Sequence, residues 1–287
     1  MSSVIGIDLG GTKIAAARYD AKTWNVQADA RYDTPKGKEF IAVFQAIVDA
    51  IMALRTEDTE AVGVGVPGLI RQPEGSIVTL PNIPRAEGFS LREKLASALK
   101  LAVSVGNDAN CFALAEALHG VGKGRDIVVG ITMGTGVGGG IVVNGKLLQG
   151  SHGFANEIGH MLLKPGEPPY PTEDKRGDVE QFLSGTAMGK RCEAAKRPED
   201  YLKGEVCAFL QPEVLRETAW MCASLAHLID PSMIIFGGST GRALAPHLSA
   251  IQKELPQWML PGIPPPDLAI AQLTNAATLG AALLTQE

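Results

Sequence analysis

Two stretches of this 287-residue chain share one plan: "IGIDLGGTKIAAA", starting at Ile5, and "VVGITMGTGVGGGIVV", starting at Val128. Each reads as an apolar strand, a glycine turn and a second strand running back. A strand–turn–strand unit repeated about a domain's length apart constrains the fold to two similar α/β halves. Each half would offer a glycine turn to a shared cleft. The chain is long enough for both halves to bury a core of their own.

The rest of the pattern fits that frame. Phe40, Val43, Phe44, Ile47, Ile51 and Leu54 recur at helical spacing. "AVGVGVPG" is a strand ending in a Pro-Gly turn, and Ser90 with Glu93 spells a capping box for the helix that follows. "LAVSV" is a strand, and "NDANCFALAEALHG" is a helix stopping at Gly120. Asn144-Gly145 marks a tight hairpin. Helices are expected over 178–195, near 212–229 and from about 275; the strand "MIIF" precedes a "GGS" turn, and a Pro-rich loop at 261–266 leads into a last strand.

Composition narrows the function classes. A net charge of −5 disfavours a general binder of nucleic acid or anionic membrane, since phosphate contacts need clustered Lys and Arg. No apolar run approaches the roughly 20 residues of a membrane span. The start "MSSVIGIDLGG" lacks the basic and apolar regions of a secretory signal, so the cytoplasm is the expected compartment. Cys111, Cys192, Cys207 and Cys222 are scattered without a C-x-x-C pair, and reduced, mostly buried thiols are expected.

The glycine turns carry the chemistry. Gly10 and Gly11 free the backbone for close approach to a ligand, and their amides, with those of Thr12 and Lys13, can point at an anion. Asp8 precedes that turn, and a carboxylate beside an anion requires a cation between them, which Mg²⁺ held mostly through water supplies. A structural hairpin with a nearby acid is the plain alternative. "GTGVGG" at 134–139 matches the spacing of a dinucleotide-binding turn but runs into "GIVVNGK", a strand where that motif needs a helix. "GTAMGKR" is one residue short of a P-loop and lacks its Ser/Thr. Gly237 and Gly238 would let a flat base lie against the backbone. Asp108, after a strand and at a helix start, is either an ordinary cap or a carboxylate orienting a hydroxyl. The stretch from Gly159 to Gly185, with His160, four prolines and the acids Asp178 and Glu180, could hold a metal, hold a substrate, or be a solvated loop.

Taken together, "IGIDLGGTK", "GVPG", "LPNIP", "NDAN", "GTGVGGGIVVNGKLLQG", "NEIGHM" and "RGDVEQFLSG" strongly resemble the ROK family of sugar kinases and repressors, in order from about residue 4 to 285. The resemblance implies a two-domain α/β, actin/hexokinase-like (ribonuclease H-like) ATPase fold with a central ligand cleft. Boundaries are expected at 1–109 and 110–274, with the terminal helix at 275–287 packing back on the first domain. It further implies a cytoplasmic, homodimeric, ATP- and Mg²⁺-dependent hexose kinase acting on the C6 hydroxyl of glucose, fructose or an N-acetylhexosamine, with no nucleic-acid or membrane partner. By position, Asp8, Gly10, Gly11, Thr12 and Lys13 match the first phosphate motif, with Asp8 on Mg²⁺ through water. Gly134, Thr135 and Gly136 match the second, and Gly237 and Gly238 the adenosine turn. Asp108 matches the catalytic base. Asn107, Gly68, Asn82, Glu157, His160 and Glu180 match the sugar contacts. A sugar-binding regulator of the same family is the alternative, though its repressors carry a DNA-binding segment before the first phosphate motif, where this chain has about three residues.

Two departures stand out. The family usually has a zinc loop after "GH", of the pattern C-x-C-G-x-x-G-C-x-E; here Pro171, Glu173 and Asp178 occupy the cysteine positions. Carboxylates are a poor substitute for soft sulfur, so no structural zinc is expected, and Pro165, Pro168, Pro169 and Pro171 are read as stiffening the loop instead. Asn156 stands where the family more often has glycine, which bears on sugar choice.

Overall fold

The computed structural model describes residues 2–37, 39–81, 83, 85–202 and 205–287. In chain order these form β1 (Ser3–Leu9), β2 (Lys13–Asp20), β3 (Val26–Asp33), α1 (Phe40–Leu54), β4 (Thr59–Val66), β5 (Leu69–Arg71), β6 (Ser76–Thr79), α2 (Leu91–Leu99), β7 (Ala102–Asn107) and α3 (Asp108–Leu118). They continue with β8 (Ile127–Met133), β9 (Val137–Val143), β10 (Lys146–Leu147), α4 (Val179–Leu183), α5 (Gly185–Arg191), α6 (Pro198–Leu202) and α7 (Gln211–Ile229). Last come β11 (Met233–Gly237), α8 (Gly238–Ala243), α9 (Leu248–Glu254), β12 (Asp267–Ile270) and α10 (Ala276–Leu283). The chain divides into two compact units: Met1–Ala115 with Lys146–Ala155 and Leu273–Glu287, and Glu116–Gly145 with Asn156–Gln272.

The first unit is built on a sheet of order β3-β2-β1-β4-β7, in which β1 runs antiparallel to β2 and parallel to β4, and β4 parallel to β7. Side chains alternate across a strand. Ile5, Ile7, Val62 and Val64 face one core with Phe40, Val43 and Ile47 of α1 and Leu91 and Leu95 of α2. The opposite face carries Gly6 and Gly63, paired across β1 and β4. A Cβ on Gly6 would lie 1.9 Å from the Thr278 carbonyl oxygen, and one on Gly63 1.6 Å from that of Ala281. The two glycines therefore let the small-residue helix α10, "AATLGAAL", lie directly on the sheet. Gly280 on that helix meets the Cys111 carbonyl of α3, where a Cβ would sit at 1.7 Å. Helices, sheet and helices make three layers.

The second unit repeats the scheme. Its sheet has the order β9-β8-β11-β12, with β8 antiparallel to β9 and β11 parallel to both β8 and β12. At its edge Asn144 (φ 51°) and Gly145 (φ 79°) turn β9 into the two-residue β10, as the Asn-Gly pair predicts. Val129, Ile131, Met133, Ile234 and Phe236 pack with α4, α7 and α9 in a core separate from the first.

Three local expectations need correction. Ser90 makes no side-chain cap hydrogen bond, so the capping box is absent at α2. The helix expected over 178–195 is two helices broken at Ser184, whose extended backbone (ψ 155°) ends α4 while its hydroxyl accepts from the Ala187 amide to cap α5. Cys192 and Cys207 are disulfide-bonded rather than reduced; Cys111 and Cys222 are free and buried as expected. The folded chain brings the bonded pair to a Cα–Cα distance of 6.2 Å, a proximity that sequence spacing does not reveal. Among the described residues no helix is long and apolar enough to cross a membrane.

Candidate active site

Three parallel neighbours, β1, β4 and β7, end at one edge of the first unit's sheet, and each delivers candidate residues there. Register sets Asp8 beside Gly65 and Gly65 beside Gly106, so Asp8 and the start of α3 converge on that edge. The carboxyl ends of parallel strands are where ligands gather in α/β sheets, because helix N-termini and loop amides converge there. Cys111 records the crowding. Its sulfur would be 3.1 Å from a Cβ on Gly65, and burial first, then the charges of Asp108 and Asp8, push its thiol well above the usual range.

β1 leads into the Gly10–Lys13 turn. The Gly10 amide donates to the Lys13 carbonyl at 2.9 Å, so it is not available to a ligand, and an anion would meet the amides of Gly11 and Thr12. Buried Thr34 braces the turn from β3's end. Its hydroxyl donates to the Gly10 carbonyl (2.7 Å) and its amide to that of Thr12 (2.9 Å). Asp8 has its carboxyl pushed up to about 6 by burial. With Lys13, Asp29, Arg31 and Asn275 it lines a cavity of about 550 Å³.

β7 leads into α3, and here the sequence reading is refined. Asn107, not Asp108, caps the helix: its Oδ1 accepts from the Asn110 amide at 3.0 Å. Its Nδ2 donates to the Gly68 carbonyl at 3.1 Å, tying the turn after β4 to the start of α3. Asp108 is the first residue of α3, with Oδ1 accepting from the Ala109 amide at 2.8 Å. Gly68 sits at φ 121°, a backbone region that only glycine enters readily. Asn82 lies outside the described residues.

In the second unit the Gly134–Gly136 turn follows β8, and on the neighbouring strand Gly237 ends β11 where Gly238 begins α8. Gly134, like Gly10, uses its amide inside its own turn, donating to the Gly136 carbonyl at 2.9 Å. The segment after α4 laces the turn down. The Gly185 amide donates to the Gly134 carbonyl (2.7 Å), and the Thr186 hydroxyl to that of Thr135 (2.7 Å). Glu180 joins in, its Oε2 accepting from the Val137 amide at 2.9 Å. Sequence reasoning missed these tethers; "LSGT" after the helix was their only signal.

Glu157 is the N-cap residue of a single 3₁₀ turn, Ile158–His160, that ends in His160, and the turn's three-residue repeat stacks positions i and i+3. Desolvation raises the Glu157 pKa, Glu180 adds to the rise, and His160 opposes it. Thus Glu157, His160 and Glu180 form one electrostatic group. Asn156 stands at φ 75°, the left-handed conformation that suits glycine and that asparagine tolerates better than most residues. The backbone there keeps a glycine-like shape while a polar side chain is added.

The residues present do not fit a zinc site. Pro171 offers no donor, Glu173 points to solvent, and among the described residues no group of three or more His, Cys, Asp or Glu could hold a metal ion. His160 Nδ1 is 3.1 Å from Oδ2 of Asp178, and the cationic Arg176 guanidinium lies 3.4 Å from that same oxygen.

Two α/β units, each an antiparallel hairpin joined to parallel strands and ending in glycine turns and acidic residues, define the actin/hexokinase-like ATPase fold. A family model described as "ROK family" matches residues 4–287, and the chain belongs to that family. It is 33% identical over 317 aligned residues to a glucokinase of Streptomyces coelicolor, covering 100% of this chain and 98% of the other. It is 31% identical to an N-acetyl-D-glucosamine kinase of Erwinia tasmaniensis, covering 97% and 98%. The crystal structure of the ROK hexokinase from Thermus thermophilus superposes with a TM-score of 0.84 at 31% identity, covering 98% of this chain and 97% of that one.

Proposed function

We propose that the protein is an ATP-dependent hexose kinase that transfers the γ-phosphoryl group to the C6 hydroxyl of glucose or an N-acetylhexosamine. The observation that carries this reading is the convergence of Asp8, the Gly10–Lys13 turn and Asp108 at one edge of the first unit's sheet. Kinship to a glucokinase and to an N-acetyl-D-glucosamine kinase supports the substrate class.

Phosphoryl transfer needs positioning and charge neutralisation more than covalent help. The amides of Gly11 and Thr12 meet phosphate oxygens. Asp8 fits a divalent cation: burial disfavours its free charge, and a cation shared with phosphate restores it. Bound there, Mg²⁺ would neutralise phosphate charge. Asp108 accepts a hydrogen bond from the sugar hydroxyl and takes its proton as the new O–P bond forms and the bond to the β-phosphate oxygen breaks. Glu157, His160 and Glu180 hold the other ring hydroxyls, or an acetamido group.

The test is a coupled ADP-release assay with ATP and a panel of glucose, fructose, N-acetylglucosamine and N-acetylmannosamine. The expected result is turnover that saturates with one of them. A chain that binds a sugar calorimetrically but releases no ADP with any would be a sugar-binding regulator instead.

A further inference from the structure

We propose that Arg176 and Asp178 form an ion-paired clamp that holds His160 and Glu180 in place for the sugar, doing without a metal what a zinc loop does elsewhere in the family. Asp178 is a positioning residue at the centre of the clamp. Its side chain is 1% exposed, although the His160 ring it meets is 47% exposed. A carboxylate only accepts hydrogen bonds, so the 3.1 Å contact requires the proton on His160 Nδ1. The tautomer is thereby set, and Nε2 is left as the acceptor for a substrate hydroxyl. The other carboxylate oxygen of Asp178 accepts from the Gln181 amide at 3.0 Å and caps α4, the helix that carries Glu180. One buried carboxylate thus fixes two groups of the proposed sugar wall.

Such a carboxylate is costly to bury without a counter-charge. Arg176 supplies it from 3.4 Å. The guanidinium is itself oriented by Asp174, through Nη2 to Oδ2 at 2.6 Å and Nε to Oδ1 at 3.1 Å. It also lies 3.3 Å from His160 Nδ1. With the proton on that nitrogen, this is a close approach of the cation to the ring, not a second hydrogen bond. Gln181 closes the loop: its Oε1 accepts from the Gly177 amide (2.7 Å), and its Nε2 donates to the Asp174 carbonyl (3.0 Å). The amides of Leu163 and Lys164 both donate to the Gly177 carbonyl, at 2.8 and 2.9 Å, tying the far side of the loop to the same point.

The proposal rests on the kinase reading for its substrate, but the clamp can be tested without it. The full-length wild-type chain is compared with Arg176→Gln, Arg176→Lys and Asp178→Asn. Hydrogen–deuterium exchange is followed in peptides covering residues 160–181, in the absence of ligands. The assay of sugar phosphorylation gives KM for sugar, KM for ATP and kcat separately, and zinc is measured on protein purified without a metal-affinity tag. Arg176→Gln is expected to speed exchange in that segment and to raise the sugar KM about tenfold, the loss of one charged hydrogen-bond network. KM for ATP and kcat should be unchanged. Arg176→Lys should restore part of the sugar affinity, and Asp178→Asn, which keeps a cap acceptor, should resemble Arg176→Gln. Unchanged exchange in the Arg176→Gln segment overturns the clamp, as does one tightly held zinc per chain. Equal losses in sugar KM, ATP KM and thermal stability would make Arg176 merely structural and overturn its positioning role. If the wild type phosphorylates no sugar, the kinase reading falls, and the exchange measurement alone decides the clamp.

Discussion

Replacing Asp8 with asparagine should make the unliganded protein more stable and the enzyme worse. Burial raises the Asp8 carboxyl from 3.8 to about 6. That gap corresponds to about 3 kcal/mol against the ionised form in the folded chain. An acid with a raised folded-state pKa holds more protons folded than unfolded. Stability is therefore lost as pH rises from 3.8 to about 6, and the full cost is present above that. Asparagine has nearly the same shape and never ionises. At pH 7.5, with chelator to remove divalent cations, Asp8→Asn should raise the melting temperature of the unliganded protein by about 5 °C. The advantage should hold down to about pH 6 and shrink below it toward pH 4.5. ATP-dependent turnover should fall at the same time, since no carboxylate remains to meet a cation at the phosphates. Scanning fluorimetry of both proteins across that pH range is the assay. A variant less stable at pH 7.5, or a difference that does not vary with pH, would refute the burial argument.

Three further outcomes are expected. Asp108→Asn should retain sugar binding by calorimetry while losing about 10²–10⁴-fold in turnover, as when a general base is removed; near-normal turnover would remove Asp108 from that role. Gly63→Ala puts a methyl 1.6 Å from a carbonyl oxygen of α10 and should cost at least about 1–3 kcal/mol in urea unfolding, because backbone must move to make room. Alkylating the unfolded, unreduced chain should label Cys111 and Cys222 only; mass spectrometry finding four labelled cysteines would contradict the Cys192–Cys207 bond.

The strands and their glycine turns were legible because β-branched runs broken by Gly-Gly or Gly-x-Gly have few other solutions, and the duplicated plan followed. What could not be read depended on contacts between distant residues. Asn107 and Asp108 are both good caps by type; only the helix start, and the bond from Asn107 to Gly68, separate their tasks. Gly6 and Gly63 weaken their strands, a local cost that marks close approach of another backbone, but nothing in those strands says that residues 276–283 are what approach. The resemblance assigns His160 a sugar contact, and Arg176 opens the motif "RGDVEQFLSG", but nothing in that motif says that its guanidinium lies 3.3 Å from the His160 ring.

The docking of α10 onto Gly6 and Gly63 also orders events during synthesis. The first unit is assembled from three separate runs of chain, and its last piece, Leu273–Glu287, leaves the ribosome after the whole of the second unit has been made. Until then α10 is missing from its place over Gly6 and Gly63, and Cys111 on α3 has no helix against its carbonyl. The second unit can close on its own core while the first waits. A nascent chain halted before residue 273 should therefore carry a protease-resistant second unit and a first unit that is cut readily, with resistance appearing only when the final helix is released.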